Sequence, residues 1–229
     1  MSGSVLKIIA CTAMALSHFG GIFRHILPGV LADVFYFTGR IAFPIFAYLI
    51  TEGWQYTKSK PRYMLRLFGF ALLSQIPYSL AVDGSLRIPL EWNVLFTLFL
   101  GTCMLRIEDM ALTAKGSRRW LLFAAALLPA VPGILLDMDF GWEGILCVGL
   151  MGLVQEKPYK LAVLAASMML VYLPGASVYY GIAFLCTLPA LILLYFYNGS
   201  RGRVKCKYLF YLFYPLHLLI FYCIYSGLC

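Results

Sequence analysis

Apolar residues fill the chain in about nine long runs, near 5–27, 30–51, 62–82, 90–107, 118–137, 141–155, 158–174, 176–197 and 206–226. Most approach the roughly 20 residues that an α-helix needs to cross a hydrocarbon core, and the sixth and seventh are the shortest. The expected fold is all-α, a polytopic membrane bundle of about nine transmembrane helices. No linker is long enough to hold a second domain, and no internal repeat or low-complexity tail is visible, so residues 1–229 are expected to form one transmembrane domain.

The linkers between the runs alternate in charge. Those at 51–66, 106–119, 155–160 and 198–207, with Lys58, Lys60, Arg66, Arg118, Lys160 and Arg201 among their cations, hold 14 of the 18 Lys and Arg residues. The intervening linkers carry Asp33, Asp83, Glu91, Asp137 and Asp139 with only Arg24 and Arg87. By the positive-inside rule the amino terminus is cytoplasmic and the carboxyl terminus outside, which requires an odd number of spans.

Composition agrees with the bilayer as solvent. At 62% hydrophobic and 12% charged, a folded monomer has too little interior to hide its apolar surface from water. The net charge of +8 is dispersed over short loops and not gathered on one face, so it reads as topology bias and lipid headgroup contact, with no nucleic-acid partner. The first run is expected to remain as a span, because Lys7 and His18 interrupt it and no small-residue cleavage site follows. Seven cysteines stand singly with no CxxC pair and read as packing residues, so no metal is expected. Neither a nucleophile elbow, a Walker A loop, an HExxH helix nor a dinucleotide fingerprint occurs. The sequon at Asn198 falls in a linker assigned to the cytoplasm and is expected to be unmodified.

Polar groups inside the runs carry the information, since a charge at a helix centre costs about 2.5–3.5 kcal/mol on insertion scales. Lys7 and His18 are eleven positions apart, on one helical face and ~16 Å apart along the axis. Arg40 lies mid-run, with Pro44 one turn later and Glu52 at the cytoplasmic end. Gln75 precedes Pro77, Asn93 opens the fourth run with Thr97 one turn on, and the linker 137–143 carries Asp139 and Glu143. The last run holds Tyr214, Pro215 and His217, with Tyr and His on one face. By residue count His18 and His217 both sit near the membrane midplane, with Gln75, Asn93, Asp139 and Glu143 in the outer half, so these groups are expected to converge on one intramembrane site. Gln75, Asn93 and Thr97 read equally well as interhelical glue. Imidazole suits acid and base work, and Arg40 demands an anionic or carbonyl partner.

The segments LKIIACTAMALSHFG (6–20), GRIAFPIFAYLITEG (39–53), RYMLRLFGFALLSQIPY (62–78), NVLFTLFLG (93–101) and KYLFYLFYPLHLLIFY (207–222) resemble the successive signatures of the TraX family over nearly the whole chain. That family is named for a conjugative-pilus protein that acetylates the pilin amino terminus, and it is similar to the acyltransferase-3-like transmembrane enzymes. In that wider group the first span carries Arg, ten residues, then His, and here Lys7 and His18 keep the spacing. The TraX pattern has Asp before this histidine. Ser17 stands there instead, and Glu143 is a candidate substitute.

The resemblance implies an acetyltransferase of the bacterial inner membrane, moving acetyl from cytoplasmic acetyl-CoA to an amine or hydroxyl of an extracytoplasmic peptide or glycan. On this reading His18, Arg40 and His217 are catalytic. Lys7, Arg40, Glu52, Gln75 and Asn93 bind the donor, and Asp139, Glu143 and Tyr214 bind the acceptor. Two other classes also suit intramembrane His and Arg: a proton-coupled transporter, which predicts an inverted repeat, and a noncatalytic membrane assembly factor.

Overall fold

The computed structural model describes residues 1–84, 91–175, 177–202 and 207–228. Arg87, Arg203, Lys205, Cys206 and Cys229 lie outside them, as do the side chains of Asp83, Lys207 and Tyr208. Among the described residues the chain is all helix, apart from one isolated bridge between Trp92 and Met138.

The helices in chain order are α1 (Gly3–Ile22), α2 (Gly29–Thr38), α3 (Ala42–Tyr56), α4 (Lys60–Tyr78), α5 (Val94–Thr113), α6 (Ser117–Ala125), α7 (Val131–Leu135), α8 (Gly141–Leu153), α9 (Lys157–Tyr172), α10 (Val178–Leu185), α11 (Leu188–Tyr195) and α12 (Lys207–Leu228). Every predicted apolar run is occupied by one or more of them. Among the described residues six stretches are long and apolar enough to cross a bilayer: Gly3–Ile22, Gly29–Tyr56, Lys60–Val82, Ser117–Leu135, Val178–Tyr195 and Leu209–Leu228. Large apolar side chains such as Val30, Leu65, Trp120 and Val178 are 70–82% exposed, a surface that water would penalise and lipid would not. This is a membrane protein.

Proline sets the local breaks. Pro44 has no N–H for the Arg40 carbonyl, and the backbone there tightens into a 3₁₀ turn over Gly39–Ile41 between α2 and α3. Pro77 is followed by a π-helical turn over Ser79–Asp83, and Pro215 lies inside α12.

The chain divides into two compact units, one of residues 1–46, 72–90 and 172–229, the other of 47–71 and 91–171. In the first, α1 packs on α2 and α12. The amino terminus is tied to the linker after α11: Met1 N donates to the Phe196 carbonyl (2.6 Å), and Gly3 N–H and Ser4 N–H donate to the Ser200 and Arg201 carbonyls. In the second, α5 packs on α8 through small residues. A Cβ added at Gly101 would lie 2.7 Å from Val148 Cβ, and one at Gly149 would lie 2.4 Å from Met104 Sδ. Met104, Ala126, Ala130 and Ile145 form a buried core there.

Candidate functional site

His18 lies on α1 and His217 on α12. His18 Nδ1 and His217 Nε2 are 2.8 Å apart, and His217 Nδ1 is 2.7 Å from the Phe213 carbonyl one turn earlier on α12. The carbonyl can only accept, so His217 Nδ1 carries the hydrogen and the neutral ring keeps its lone pair on Nε2. That lone pair then accepts from His18 Nδ1–H, which leaves the free lone pair of His18 on Nε2. Pro215, which has no N–H for the Tyr211 carbonyl, lies between Phe213 and His217 on α12. The two rings stack at 5.1 Å between centroids, His217 is 6% exposed, and Phe213, Phe221 and Tyr214 surround it.

Ser17 holds a different post from the acid expected before His18. Its Oγ donates to the Tyr36 carbonyl at 2.9 Å, fixing α1 to the end of α2. Among the described residues the group at His18 Nδ1 is His217, and Glu143 belongs to the other unit. A Cβ at Gly39 would lie 2.1 Å from Ser17 Cβ, so glycine is what lets the 3₁₀ turn approach α1 and bring Arg40 beside His18's turn. The Arg40 guanidinium stacks 4.3 Å over the Tyr36 ring, and its Nη1 donates a long hydrogen bond, 3.4 Å, to the Tyr172 hydroxyl. Tyr179 extends the aromatic wall against Tyr36 and Phe37.

The sequence reading expects His18, His217, Gln75, Asn93, Asp139 and Glu143 to converge, and of these His18, His217 and Gln75 share a unit with Arg40 and Tyr214, where the His18 ring lies against His217 and Tyr214. It missed Tyr36, Tyr172 and the Phe213 carbonyl. The last could have been found from the i, i+4 spacing of Phe213 and His217 across Pro215. Lys7 is in the same unit, its Nζ 5.3 Å from the Phe210 ring centroid. Gln75 Nε2 donates to Ser79 Oγ within the π-helical turn.

The other proposed residues lie in the second unit, each within its own contacts. Asn93 is fully buried. Its Oδ1 accepts from Leu95 N–H as the cap of α5, and its Nδ2 donates to the Ala71 carbonyl at 2.9 Å. Asp139 N–H donates to the Trp92 carbonyl and its own carbonyl accepts from Thr97 Oγ1. Glu143 sits in the first turn of α8, where the helix dipole favours an acid. Glu52 accepts from Lys160 Nζ at 2.8 Å, and that lysine, expected in an exposed basic linker, is 2% exposed with Tyr48 beside it.

No solved structure matches the chain. A protein described as a probable fimbrial assembly protein FimC, serogroup H1, of Dichelobacter nodosus is 30% identical over 93% of this chain and 91% of its own length. The family described as TraX protein matches residues 2–225, and with that coverage the chain belongs to the TraX family.

Proposed function

We propose that this protein is a multi-pass inner-membrane acetyltransferase that moves acetyl from cytoplasmic acetyl-CoA to an amine or hydroxyl of an extracytoplasmic peptide or glycan. The observation that carries the reading is the His18–His217–Phe213 hydrogen-bonded series, which leaves one imidazole lone pair, His18 Nε2, available inside an apolar bundle. That nitrogen removes the proton from the acceptor as its nitrogen or oxygen attacks the thioester carbon. The tetrahedral oxyanion then collapses, the carbon–sulfur bond breaks, and the His18 imidazolium returns the proton to the departing CoA sulfur. His217 Nε2 holds the ring orientation and receives part of the transient positive charge through His18 Nδ1–H.

Arg40 is the candidate donor to the oxyanion, and a guanidinium in a water-poor site is worth far more there than in water. The basic cytoplasmic linkers attract the CoA phosphates, with Lys7 on the same face of α1 as His18. Nine spans with the amino terminus inside suit this division of donor and acceptor. The hydrogen bonds from Met1, Gly3 and Ser4 to the basic linker near 196–201 support one side for both.

Purified protein in detergent, incubated with acetyl-labelled acetyl-CoA, is expected to transfer label to a supplied amine or release it as acetate. A reporter after Cys229 should read extracytoplasmic and one near Ser200 cytoplasmic. The second reading, a noncatalytic assembly factor, is favoured by the description of the Dichelobacter nodosus relative as an assembly protein. It predicts no label transfer under any acceptor and tolerance of His18 replacement.

A further inference from the structure

The second unit carries a charge that its own ion pairs do not match. Lys60 Nζ lies 2.5 Å from Asp109 Oδ2, which also accepts from Trp54 Nε1 at 3.1 Å. Lys160 Nζ lies 2.8 Å from Glu52 Oε1 and 3.4 Å from Gln55 Oε1. Each lysine thus has one carboxylate. Glu108, next to Asp109 on α5, is left over: it is 3% exposed, and its Oε2 is buried with no hydrogen-bond partner among the described residues.

Glu108 lines a cavity of about 80 Å³ together with Trp54, Gln55, Asp109, Gly152, Gln155 and Lys60, whose ammonium is matched by Asp109 so that Glu108 leaves the lining one negative charge in excess. Gly152 keeps the cavity open beside the carboxylate, since a Cβ there would stand 3.4 Å from Glu108 Oε2 and 2.0 Å from Leu105 Cδ2. A buried carboxylate without a partner is strongly penalised, and a bound cation, like a proton, removes the penalty. The remaining donors are amide side chains and the already paired Asp109, which is hard oxygen chemistry. No group of three or more His, Cys, Asp or Glu that could hold a metal ion occurs among the described residues. One unmatched carboxylate with neutral oxygens suits a charge of +1 and is too poor in ligands for zinc or calcium.

We infer that the cavity at Glu108 binds a small monovalent cation, an ammonium-type ion or an alkali metal ion. This site is independent of the acetyl-transfer reading, and its test does not use activity. Thermal unfolding of the full chain in detergent at pH 8 is followed while NaCl, KCl, ammonium chloride or methylammonium chloride replaces N-methylglucamine chloride at constant ionic strength. At least one small cation is expected to raise Tm saturably, by about 2–8 °C for a chain of this size. Saturation with ammonium and methylammonium alone identifies an N–H donor ligand, and saturation with sodium or potassium but not methylammonium identifies an alkali ion. Glu108→Gln is expected to abolish the saturable rise, and Glu108→Asp, which keeps the charge, to retain a weaker one if the glutamine variant fails to fold. Equal Tm in all the salts, or an undiminished cation response in Glu108→Gln, overturns the proposal.

Discussion

In the unit that carries His18 and His217, the polar groups inside the bundle are neutral rings in a directed hydrogen-bond series, or a guanidinium laid on a tyrosine face. In the unit that carries Lys160 and Asp109, two lysines are each matched to a carboxylate at 2.5–2.8 Å, with Glu108 left over. The difference separates two uses of polarity in an apolar solvent. A matched ion pair lowers its own free energy and becomes unreactive, because protonating or displacing either partner exposes the other. A tautomer-locked imidazole pair satisfies every ring nitrogen but one, and that one nitrogen keeps a lone pair. The first arrangement fixes structure, and the second leaves chemistry available.

The largest expected effect is on the imidazole side. His18→Ala removes the proposed general base, typically worth 10²- to 10⁴-fold, and should leave thermal unfolding within a few degrees of the parent. Label transfer from acetyl-CoA measures it, and near-parental turnover in a folded His18→Ala protein would falsify the catalytic assignment. On the ion-pair side the pattern should reverse. Lys160→Met strands the Glu52 carboxylate in the interior, a loss of about 3–5 kcal/mol, whereas the double change Lys160→Met with Glu52→Met should recover most of it. Lys60 and Asp109 are each about a third exposed, so breaking that pair should cost only about 0.2–1 kcal/mol. If the double variant is no more stable than Lys160→Met alone, the pair is not what holds Lys160 inside.

A smaller effect sharpens the role of His217. His217→Phe keeps a ring of similar shape but removes the acceptor for His18 Nδ1–H. A hydrogen bond worth about 1 kcal/mol corresponds to a fivefold to tenfold fall in rate, well short of the His18 effect. The chain has three histidines, which makes nitrogen NMR of the ring tautomers tractable. His18 is expected as the Nδ1–H form in the parent protein and as a tautomer mixture in His217→Phe. A parent spectrum dominated by His18 Nε2–H would break the proposed direction of the series.

Much of the fold was legible because the bilayer enforces it. Run length, few internal charges and alternating linker charge are properties of short windows, and each predicted run is helical. Counting residues along the first and last runs predicts a common depth for His18 and His217, and the two rings, 199 positions apart in sequence, are in contact. What was not legible depends on partners across the bundle. Lys160 looks like a linker cation beside Lys157, and only its partner 108 positions away shows that it is buried. The 3₁₀ break before Pro44 was half visible: the proline marks it, but the approach of Gly39 to Ser17 that gives the break its purpose has no signal in the sequence. Ser17 likewise looked like a missing acid, whereas its hydroxyl ties two helices.

Asn93 gives the smallest effect and decides between the two uses of polarity at a single position. The sequence admits it both as a group that binds the acetyl donor and as structural glue, and the structure occupies its Oδ1 with the cap of α5 and its Nδ2 with the Ala71 carbonyl. Asn93→Ala should lose both contacts and destabilise by about 0.5–2 kcal/mol, the usual cost of removing a cap. Asn93→Ser keeps a neutral cap acceptor and loses the amide donor, so it should cost roughly 1 kcal/mol through the Ala71 carbonyl. In both variants label transfer per folded molecule should match the parent. A tenfold fall in turnover for Asn93→Ser, with unfolding shifted by no more than the hydrogen bond accounts for, would return Asn93 to the chemical side of the comparison, because only a donor aimed at a developing charge loses that much without a matching loss of stability.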